Sequence, residues 1–196
     1  QNPEPEAERP AFDLIYRSSI AYVLGMLWRL GVADRDREDV AHEVFLVVQR
    51  RHADYDPSMK LRSWLAGITW NVAKRWNELA RHRRLELGMN DEEHENEADA
   101  PADPEQILSA RELEVQLRAL TRTLLQSVPD EQRIVLVMHD LDEIGMPDIA
   151  RALGISPNTG WDRLRRARLS FEAAVRRLNE RDRDALGKSG IRPISL

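Results

Sequence analysis

Arginines, an amide, a carboxylate and an indole share one face of a helix that the sequence predicts near its C-terminal end. The stretch from Gly145 to Leu178 reads GMPDIARALGISPNTGWDRLRRARLSFEAAVRRL. Side chains of these types read base edges in a DNA groove, each good contact being worth roughly 1–3 kcal/mol of discrimination. The predicted base readers are Asn158, Trp161, Asp162, Arg165 and Arg166, whereas Arg163, Arg168, Arg176 and Arg177 are better placed for phosphates.

Two short helices and a turn must position this face. In the first helix an apolar stripe is formed by Met146, Ile149, Ala150 and Leu153, and Gly154 follows where the chain must reverse. Ser156 is a predicted N-cap and Pro157 a predicted first helical residue. The second helix buries Leu164, Ala167, Phe171, Ala174, Val175 and Leu178. The pattern predicts a helix-turn-helix, and these turn and cap signals weigh against a merely solvated, arginine-rich helix.

The composition of the whole chain narrows the classes of protein. The chain has 196 residues, 42% of them hydrophobic, and a net charge of −5, with basic clusters at 75–84 and 163–177. It has no cysteine, which excludes disulfides, thiolate metal sites and cysteine nucleophiles, and fits a reducing cytoplasm. The start, QNPEPEAERP, does not have the order of a secretion signal, and we expect no membrane-spanning helix.

The N-terminal part predicts two helices after a disordered lead-in. The first helix has an apolar face and ends at Gly31; the face comprises Phe12, Tyr16, Ile20, Val23, Leu27 and Leu30. Asp36 is predicted to cap the second helix, which begins with acidic residues. Its buried side is predicted to contain Val40, Val44, Val47 and Val48, with Glu38, Asp39, His42 and Glu43 outside and Phe45 partly exposed.

A third helix, from Arg62 to about Leu85, follows a loop that Pro57 keeps out of a helix. Its predicted core stripe comprises Leu65, Ile68, Val72, Trp76 and Leu79, and its other face Trp70, Asn71, Lys74 and Glu78. Basic residues interleaved with aromatic rings suit single-stranded nucleic acid. The alternative, a tryptophan-rich core beside a cationic helix end, explains Trp76 better than Trp70.

An acidic, proline-bearing segment without apolar periodicity separates this part from the rest. We interpret it as a flexible linker whose residues 89–103 tolerate a Gly/Ser replacement of equal length better than shortening. Two further helices then brace the helix-turn-helix, one with Leu113, Leu117, Leu120, Leu124 and Val128, the other, after Pro129 and Asp130, with Ile134, Val135, Val137, Met138 and Leu141. The predicted fold is all-α, with small helical domains at 11–87 and 105–180, a linker at 88–104 and a polar tail at 181–196 to which we assign no role.

The order of these parts closely resembles bacterial RNA polymerase sigma factors of the extracytoplasmic-function type. Three stretches carry the resemblance and cover most of residues 11–180: DVAHEVFLVVQRRHADYDP, LRSWLAGITWNVAKRWNELARHRR and VPDEQRIVLVMHDLDEIGMPDIARALGISPNTGWDRLRRARLSF. The resemblance implies a non-catalytic subunit that binds the clamp helices of core RNA polymerase, recognises two promoter elements and helps to melt the downstream one. It also implies an anti-sigma protein as a partner, and no cofactor.

The resemblance assigns residues to three surfaces. The core-binding surface comprises Asp39, His42, Glu43, Phe45 and Gln49. The downstream, minus-ten surface comprises Lys60, Leu61, Arg62, Trp64, Trp70, Asn71, Lys74 and Arg75; here the loop 54–61 pockets a flipped base, Trp64 supports that loop and Asn71 reads the element. The upstream, minus-thirty-five surface comprises Asn158, Thr159, Trp161, Asp162, Arg163, Arg165, Arg166 and Arg168.

The recognition helix departs from the family pattern at three consecutive positions. Gly160 stands where valine usually packs, Trp161 where lysine or arginine is common, and Asp162 where serine is common. Glutamine is commoner where His42 stands. These departures concern the stability of the helix and the upstream sequence that it reads, and they leave the fold expectation unchanged.

Two other classes of protein compete with this interpretation. A stand-alone helix-turn-helix regulator would explain the C-terminal part, but it would not explain the WNVAKRW helix. An enzyme is suggested by three carboxylate–histidine pairs, Asp39 with His42, His139 with Asp140, and Asp91 with His94. These pairs lie in separate segments, whereas a metal site needs several facing helices, and surface histidines explain them better. We therefore expect no catalytic or metal-binding residue.

Overall fold

Seven α-helices make up the part of the chain that the structure describes. The structure, a computed structural model, covers residues 10–86 and 110–188, with the side chains of 110–114 and 180–188 excepted. The helices are α1 Phe12–Arg29, α2 Arg37–Arg50, α3 Leu61–Glu86, α4 Ala110–Gln126, α5 Asp130–Leu136, α6 Met146–Leu153 and α7 Pro157–Lys188. These ranges hold no β-strand, and the predicted all-α fold is confirmed.

Three predicted segments lie wholly or partly outside the described residues: the lead-in 1–9, the linker 88–104 and the end of the tail from 189. The tail was expected to be separate from the last helix, but α7 continues through it to Lys188. None of the described helices has the length and apolar character that crossing a bilayer requires.

Helices α1, α2 and α3 form an N-terminal bundle in which each helix contacts the other two. The predicted apolar face of α1 is correct from Val23 to Leu30 but wrong in its first turns. Ile15 and Ser19 are buried there, whereas Tyr16 is 43% exposed. A small serine in the buried stripe looks polar in sequence, and this shifted the predicted face by one residue. In α3, Leu79 was expected in the core, but it lies on the surface.

Helices α4 to α7 form a C-terminal bundle whose α4–α5 corner is held by a buried arginine. The Arg133 guanidinium donates hydrogen bonds to the carbonyl oxygens of Val128 (2.9 Å, from Nη2), Gln126 (3.1 Å) and Leu30 (3.3 Å), and it pairs with Asp130 at 3.0 Å. Burial lowers the pKa of this guanidinium, but Asp130 opposes the shift. Because Leu30 is the residue that follows α1, this arginine also connects the two bundles.

The two bundles pack against each other through α3 and α6 and share one continuous apolar core. The backbones of α3 and α6 come close together at Gly67, where an added Cβ would lie 2.5 Å from the Ala152 carbonyl oxygen. A second contact joins α1 to the C-terminal bundle: the buried carboxylate of Asp142 accepts hydrogen bonds from Tyr22 Oη at 2.8 Å and Arg29 Nη1 at 2.9 Å. Burial beside Asp142 raises the pKa of Tyr22. The sequence had suggested separate cores, and the domain boundaries remain predictions.

Gly67→Ala is expected to lower the thermal midpoint, although alanine favours a helix over glycine by about 1 kcal/mol. The new Cβ would meet a backbone oxygen that cannot rotate away, and such overpacking costs about 1–3 kcal/mol. Gly25→Ala in α1 is the matched control, since nothing lies within 4 Å of its Cβ position, and it should leave the midpoint unchanged or raise it. Equal midpoints for the two variants would contradict the close contact of α3 with α6.

Candidate nucleic-acid interface

The helix-turn-helix forms as the sequence predicts. Gly154 ends α6 in the left-handed conformation at φ 66°, which glycine adopts without strain. The Ser156 hydroxyl then accepts a hydrogen bond from the Thr159 backbone N–H at 3.1 Å, and α7 begins at Pro157. This turn and cap fix where the N-terminal turns of α7 begin, and such turns enter the major groove in helix-turn-helix proteins.

Most of the predicted upstream readers lie on the exposed side of α7. Asn158, Thr159, Arg165 and Arg166 are exposed, and Trp161 is 51% exposed. Asp162 pairs with Arg166 Nη2 at 2.9 Å and with Arg165 Nη2 at 3.3 Å. The carboxylate therefore orients two guanidinium groups on the face that would meet bases.

Two other arginines of this surface pair with acidic residues outside α7. Arg168 donates two hydrogen bonds to Asp140, at 2.9 Å from Nε and 2.7 Å from Nη2, and this contact holds the pKa of the Asp140 carboxyl below its usual range. Arg163 pairs with Glu131, which also accepts a hydrogen bond from Lys74 at 3.1 Å. Lys74 and Arg163 together lower the pKa of Glu131. One carboxylate therefore bridges a predicted downstream residue and a predicted upstream residue.

Gly160, where the family resemblance led us to expect valine, is buried next to Met146. A Cβ at Gly160 would lie 2.4 Å from Met146 Sδ. Met146 is 2% exposed, so its side chain occupies the space into which a larger residue at 160 would point. The recognition helix therefore keeps a filled contact with α6 despite the glycine.

The loop before α3 is fixed by its own hydrogen bonds. Asp56 accepts bonds from the Ser58 backbone N–H at 2.9 Å and the Ser58 hydroxyl at 2.7 Å, which lowers the pKa of the Asp56 carboxyl. Tyr55 donates its hydroxyl to the Met59 carbonyl at 2.7 Å, and its ring packs on Trp64 at 4.9 Å. Trp64 therefore packs against the loop, and its role in supporting that loop stays a prediction.

Asn71 lies exposed on α3 beside this loop. Its side-chain amide makes no hydrogen bond to any other residue of the described ranges. It borders a cavity of about 200 Å³ between the loop, α3 and α6, lined also by Arg51, Asp54, Asp56, Met59, Trp64, Gly67, Ile68, Arg151 and Ala152. An open amide, a fixed loop and a cavity therefore meet at one place.

The other predicted downstream residues divide into exposed and buried groups. Lys60, Arg62 and Arg75 are exposed, and Leu61 and Lys74 are half-buried. Trp70 was expected on the face opposite the core, but it is 8% exposed. Residues 63–70 of α3 are buried on every side because α1 and α2 pack on one face and α6 on the other. Trp70 therefore belongs to the core, with Lys74 Nζ 5.8 Å from its ring centroid.

The predicted core-binding surface on α2 has one member in the interior. Asp39, His42, Glu43 and Gln49 are exposed. Phe45 was expected to be partly exposed, but it is 3% exposed and packs edge-on against Tyr16 at 4.7 Å. A ring on α1 thus covers Phe45, which leaves four polar side chains on the surface.

Four residues that contact side chains or backbone of other helices were not singled out as site residues from the sequence: Glu131, Arg133, Asp142 and His139. His139 had been considered only as a partner of Asp140, not of Trp161. Asp142 meets Tyr22 from 120 positions away in the chain, a pairing that no local pattern shows. Of these residues, Arg133 could have been found from the sequence, because a charged residue inside an apolar helical segment indicates a buried, paired charge. None of the described residues forms a group of three or more metal-binding side chains. The pair Asp91 and His94 lies outside the described ranges.

Two family models match the chain. Sigma-70 region 2 matches residues 15–85, which is α1 to α3, and Sigma-70, region 4 matches residues 118–171, which runs from α4 into α7. Two similar solved structures are CnrH in complex with the cytosolic domain of CnrY (TM-score 0.55, 21% identity, 84% of this chain and 86% of that chain) and the sigma factor RpoE in complex with the anti-sigma factor NepR from Bartonella quintana (0.59, 15%, 84% and 96%). At these identities the likeness shows the fold.

Curated relatives agree with the two matches. The ECF RNA polymerase sigma factor SigE of Mycolicibacterium smegmatis is 28% identical over 164 residues, 83% of this chain and 61% of the relative. The RNA polymerase sigma-H factor of Pseudomonas aeruginosa is 26% identical over 177 residues, 87% of this chain and 89% of the relative. The chain thus spans less than two thirds of the mycobacterial protein. The match to Sigma-70 region 2 does not favour a stand-alone helix-turn-helix regulator, since such a regulator has no need of that bundle. The chain belongs to the sigma-70 family, in its extracytoplasmic-function group.

Proposed function

We propose that this sigma factor binds core RNA polymerase, reads the minus-ten and minus-thirty-five elements with its two bundles and helps to melt the minus-ten element. The observation that carries the proposal is the open Asn71 amide beside a fixed loop and a cavity, on the same chain as the exposed arginine face of α7. The proposed role of the sigma factor is to select the promoter. The proposal assigns no catalytic residue to this chain.

Asn71 is the proposed reader of the downstream element. An amide can both donate a hydrogen bond to a base edge and accept one from it. Within the described residues the Asn71 side chain makes neither kind of hydrogen bond. A base that has left the stack needs a shaped pocket and polar contacts, since unstacking costs a few kcal/mol. The loop 54–61 would supply the pocket, while Lys60, Arg62 and Arg75 would follow the phosphates.

Both bundles must move apart for the two elements to be bound at once. The elements lie about 25 base pairs apart by their names, which is about 85 Å of B-form DNA. In the structure α6 contacts α3 directly, and Arg151 and Ala152 of α6 line the cavity beside Asn71. We propose that this contact opens when the sigma factor binds polymerase and promoter, and that the linker spans the resulting distance.

The exposed side of α2 is the proposed surface for the clamp helices of core polymerase. It presents Asp39, His42, Glu43 and Gln49 to solvent. Charged and polar side chains at the rim of an interface favour fast, specific association. Phe45 is excluded from this surface because it lies in the interior.

Arg166→Ala is expected to lower promoter affinity by roughly 1–3 kcal/mol at one base pair of the upstream element. Arg166 is exposed, and its guanidinium pairs with Asp162 at 2.9 Å. We expect this guanidinium to pair with a guanine edge in the major groove. Binding of the holoenzyme to upstream duplexes that differ at single positions measures this. Arg176→Ala, which changes an exposed arginine about three turns further along α7, is the control and should weaken all duplexes equally. A uniform loss for Arg166→Ala would assign it to phosphate contact.

An anti-sigma protein is a further proposed partner. CnrH and RpoE, which have this fold, were solved with the cytosolic domain of CnrY and with the anti-sigma factor NepR. The same kind of partner is proposed to restrain this chain by covering its DNA-binding surfaces. The proposed location is the cytoplasm, where polymerase and promoter DNA are found.

Footprinting of promoter DNA with and without core polymerase tests the proposed function. We expect protection of both elements only when the sigma factor and core are present together. Protection by the sigma factor alone at equal concentration, with no added effect of core, would show a stand-alone regulator instead.

A further inference from the structure

Trp161 presents a large aromatic ring to solvent in the first turns of α7. The indole is 51% exposed, which is costly for an apolar ring unless a partner covers it. The indole packs against the ring of His139, whose centroid lies 5.3 Å away at an interplanar angle of 66°. Such an edge-to-face contact has a preferred geometry and restricts how the indole can turn.

His139 is itself held in one orientation. Its Nδ1 lies 2.7 Å from Asp140 Oδ1, and because an ionised carboxylate only accepts hydrogen bonds, Nδ1 must carry the proton. Arg168 donates two further hydrogen bonds to the same carboxyl, which lowers the pKa of Asp140 and favours its ionised form. The imidazole therefore cannot flip without losing a charge-assisted bond.

A π-helical turn places these two residues. Residues Val137–Leu141 continue α5 as a single π-helical turn, an irregularity that is common at functional sites. Within this turn the consecutive side chains of His139 and Asp140 both reach α7, His139 at Trp161 and Asp140 at Arg168. Trp161 and Arg168 are seven residues, two turns, apart on one side of α7. The contacts thus brace the part of the helix that would enter the groove.

We propose that His139 is a positioning residue for upstream-element recognition: it fixes the indole of Trp161 so that the ring packs on a base edge, a thymine methyl group, in the major groove. This inference rests on the proposed upstream role of α7. Apolar contact with the thymine methyl is one of the direct ways of reading a base pair. Arginine or lysine at position 161 would need no such support, because a cation binds guanine through its own donors.

His139 would increase affinity because it restricts the conformations of the indole before DNA binds. Immobilising a flexible side chain on binding costs an amount equivalent to about 3- to 10-fold in affinity. Without the His139 ring, the indole would have to be immobilised when DNA binds. Affinity should then fall, and only for the base pair that Trp161 contacts. A purely structural role would instead weaken binding to every duplex.

The test measures discrimination by the holoenzyme on upstream duplexes that carry thymine, uracil or cytosine at each position in turn. Uracil lacks only the methyl group, so the wild-type holoenzyme should lose affinity at one thymine, and Trp161→Ala should remove that preference. His139→Ala should reduce it about 3- to 10-fold without changing the other positions. The double variant should match Trp161→Ala alone, and His139→Phe, which keeps a ring against the indole, should retain most of the preference.

Thermal midpoints of all variants separate positioning from folding. His139→Gln, which keeps a donor toward Asp140 and lacks the ring, replaces His139→Ala if the latter is unstable. The inference is overturned if the effects of His139→Ala and Trp161→Ala add independently, or if every duplex is weakened equally. If Trp161→Ala leaves all preferences intact while Arg166→Ala changes one, the inference fails and upstream reading by α7 stands. If neither variant changes any preference, the proposed upstream function itself fails.

Discussion

Asn71→Ala should leave the fold intact and impair opening of the promoter. Asn71 is exposed and makes no side-chain hydrogen bond within the described ranges, so its loss should change the free energy of unfolding by less than about 0.5 kcal/mol. Loss of a polar contact to a base edge should cost about 1–3 kcal/mol, or roughly 5- to 150-fold in open complex. Permanganate reactivity of promoter thymines measures opening, and a template melted in advance around the start site should recover part of the activity.

A neighbouring asparagine provides the matched control. Asn77, also on α3, donates its side-chain amide to the Leu30 carbonyl oxygen at 3.1 Å, at the end of α1. Asn77→Ala should therefore lower the free energy of unfolding by about 0.5–1.5 kcal/mol and leave promoter opening normal at permissive temperature. The reverse pattern, in which Asn71→Ala lowers the thermal midpoint and thymines still react normally, would show that Asn71 has a structural role.

Gly160→Val, which introduces the residue common at this position in the family, should destabilise this chain. The valine side chain would enter the space of Met146 Sδ, and overpacking of this kind costs about 1–3 kcal/mol. Met146→Ala alone should cost about 2–5 kcal/mol because it leaves a cavity. The double variant should lose less free energy of unfolding than the two single variants lose together, because the valine then fills part of the cavity.

Urea unfolding of the four proteins gives the coupling between positions 146 and 160 directly. Gly25→Val is the control for adding a valine to a helix, because no atom lies within 4 Å of a Cβ at Gly25. Additive effects within about 0.5 kcal/mol would contradict the proposal that Met146 compensates for the glycine. A positive coupling would explain how the recognition helix keeps its stability without the usual valine.

Local patterns predicted most of the fold and of the recognition helix. Gly154, Ser156 and Pro157 mark a turn and a cap within four residues, and the structure has α7 begin where they place it. Such signals depend only on backbone geometry near the residue itself. The predicted bounds of α3, Arg62 to about Leu85, differ from the observed Leu61–Glu86 by a single residue at each end.

The errors arose where one helix meets more than one partner. Trp70 lies opposite the predicted core stripe of α3, and a single-sided helix would expose it. Helix α6 covers that second side, and this contact between the bundles has no local signature. Phe45 is buried for the same reason, since Tyr16 of α1 closes over it. The pairing of Glu131 with both Lys74 and Arg163 likewise joins residues that are far apart in the chain.

The most direct test of the account is transcription in vitro by core polymerase with this chain on a library of promoter sequences. We predict that transcripts appear only when the chain is added to core, and that the active promoters share two sequence blocks, at the upstream and downstream positions. Asn71→Ala should relax selection in the downstream block and Arg166→Ala at one position of the upstream block. Transcription that does not depend on the chain, or selection of a single block unaffected by either variant, would contradict the proposed two-element sigma factor.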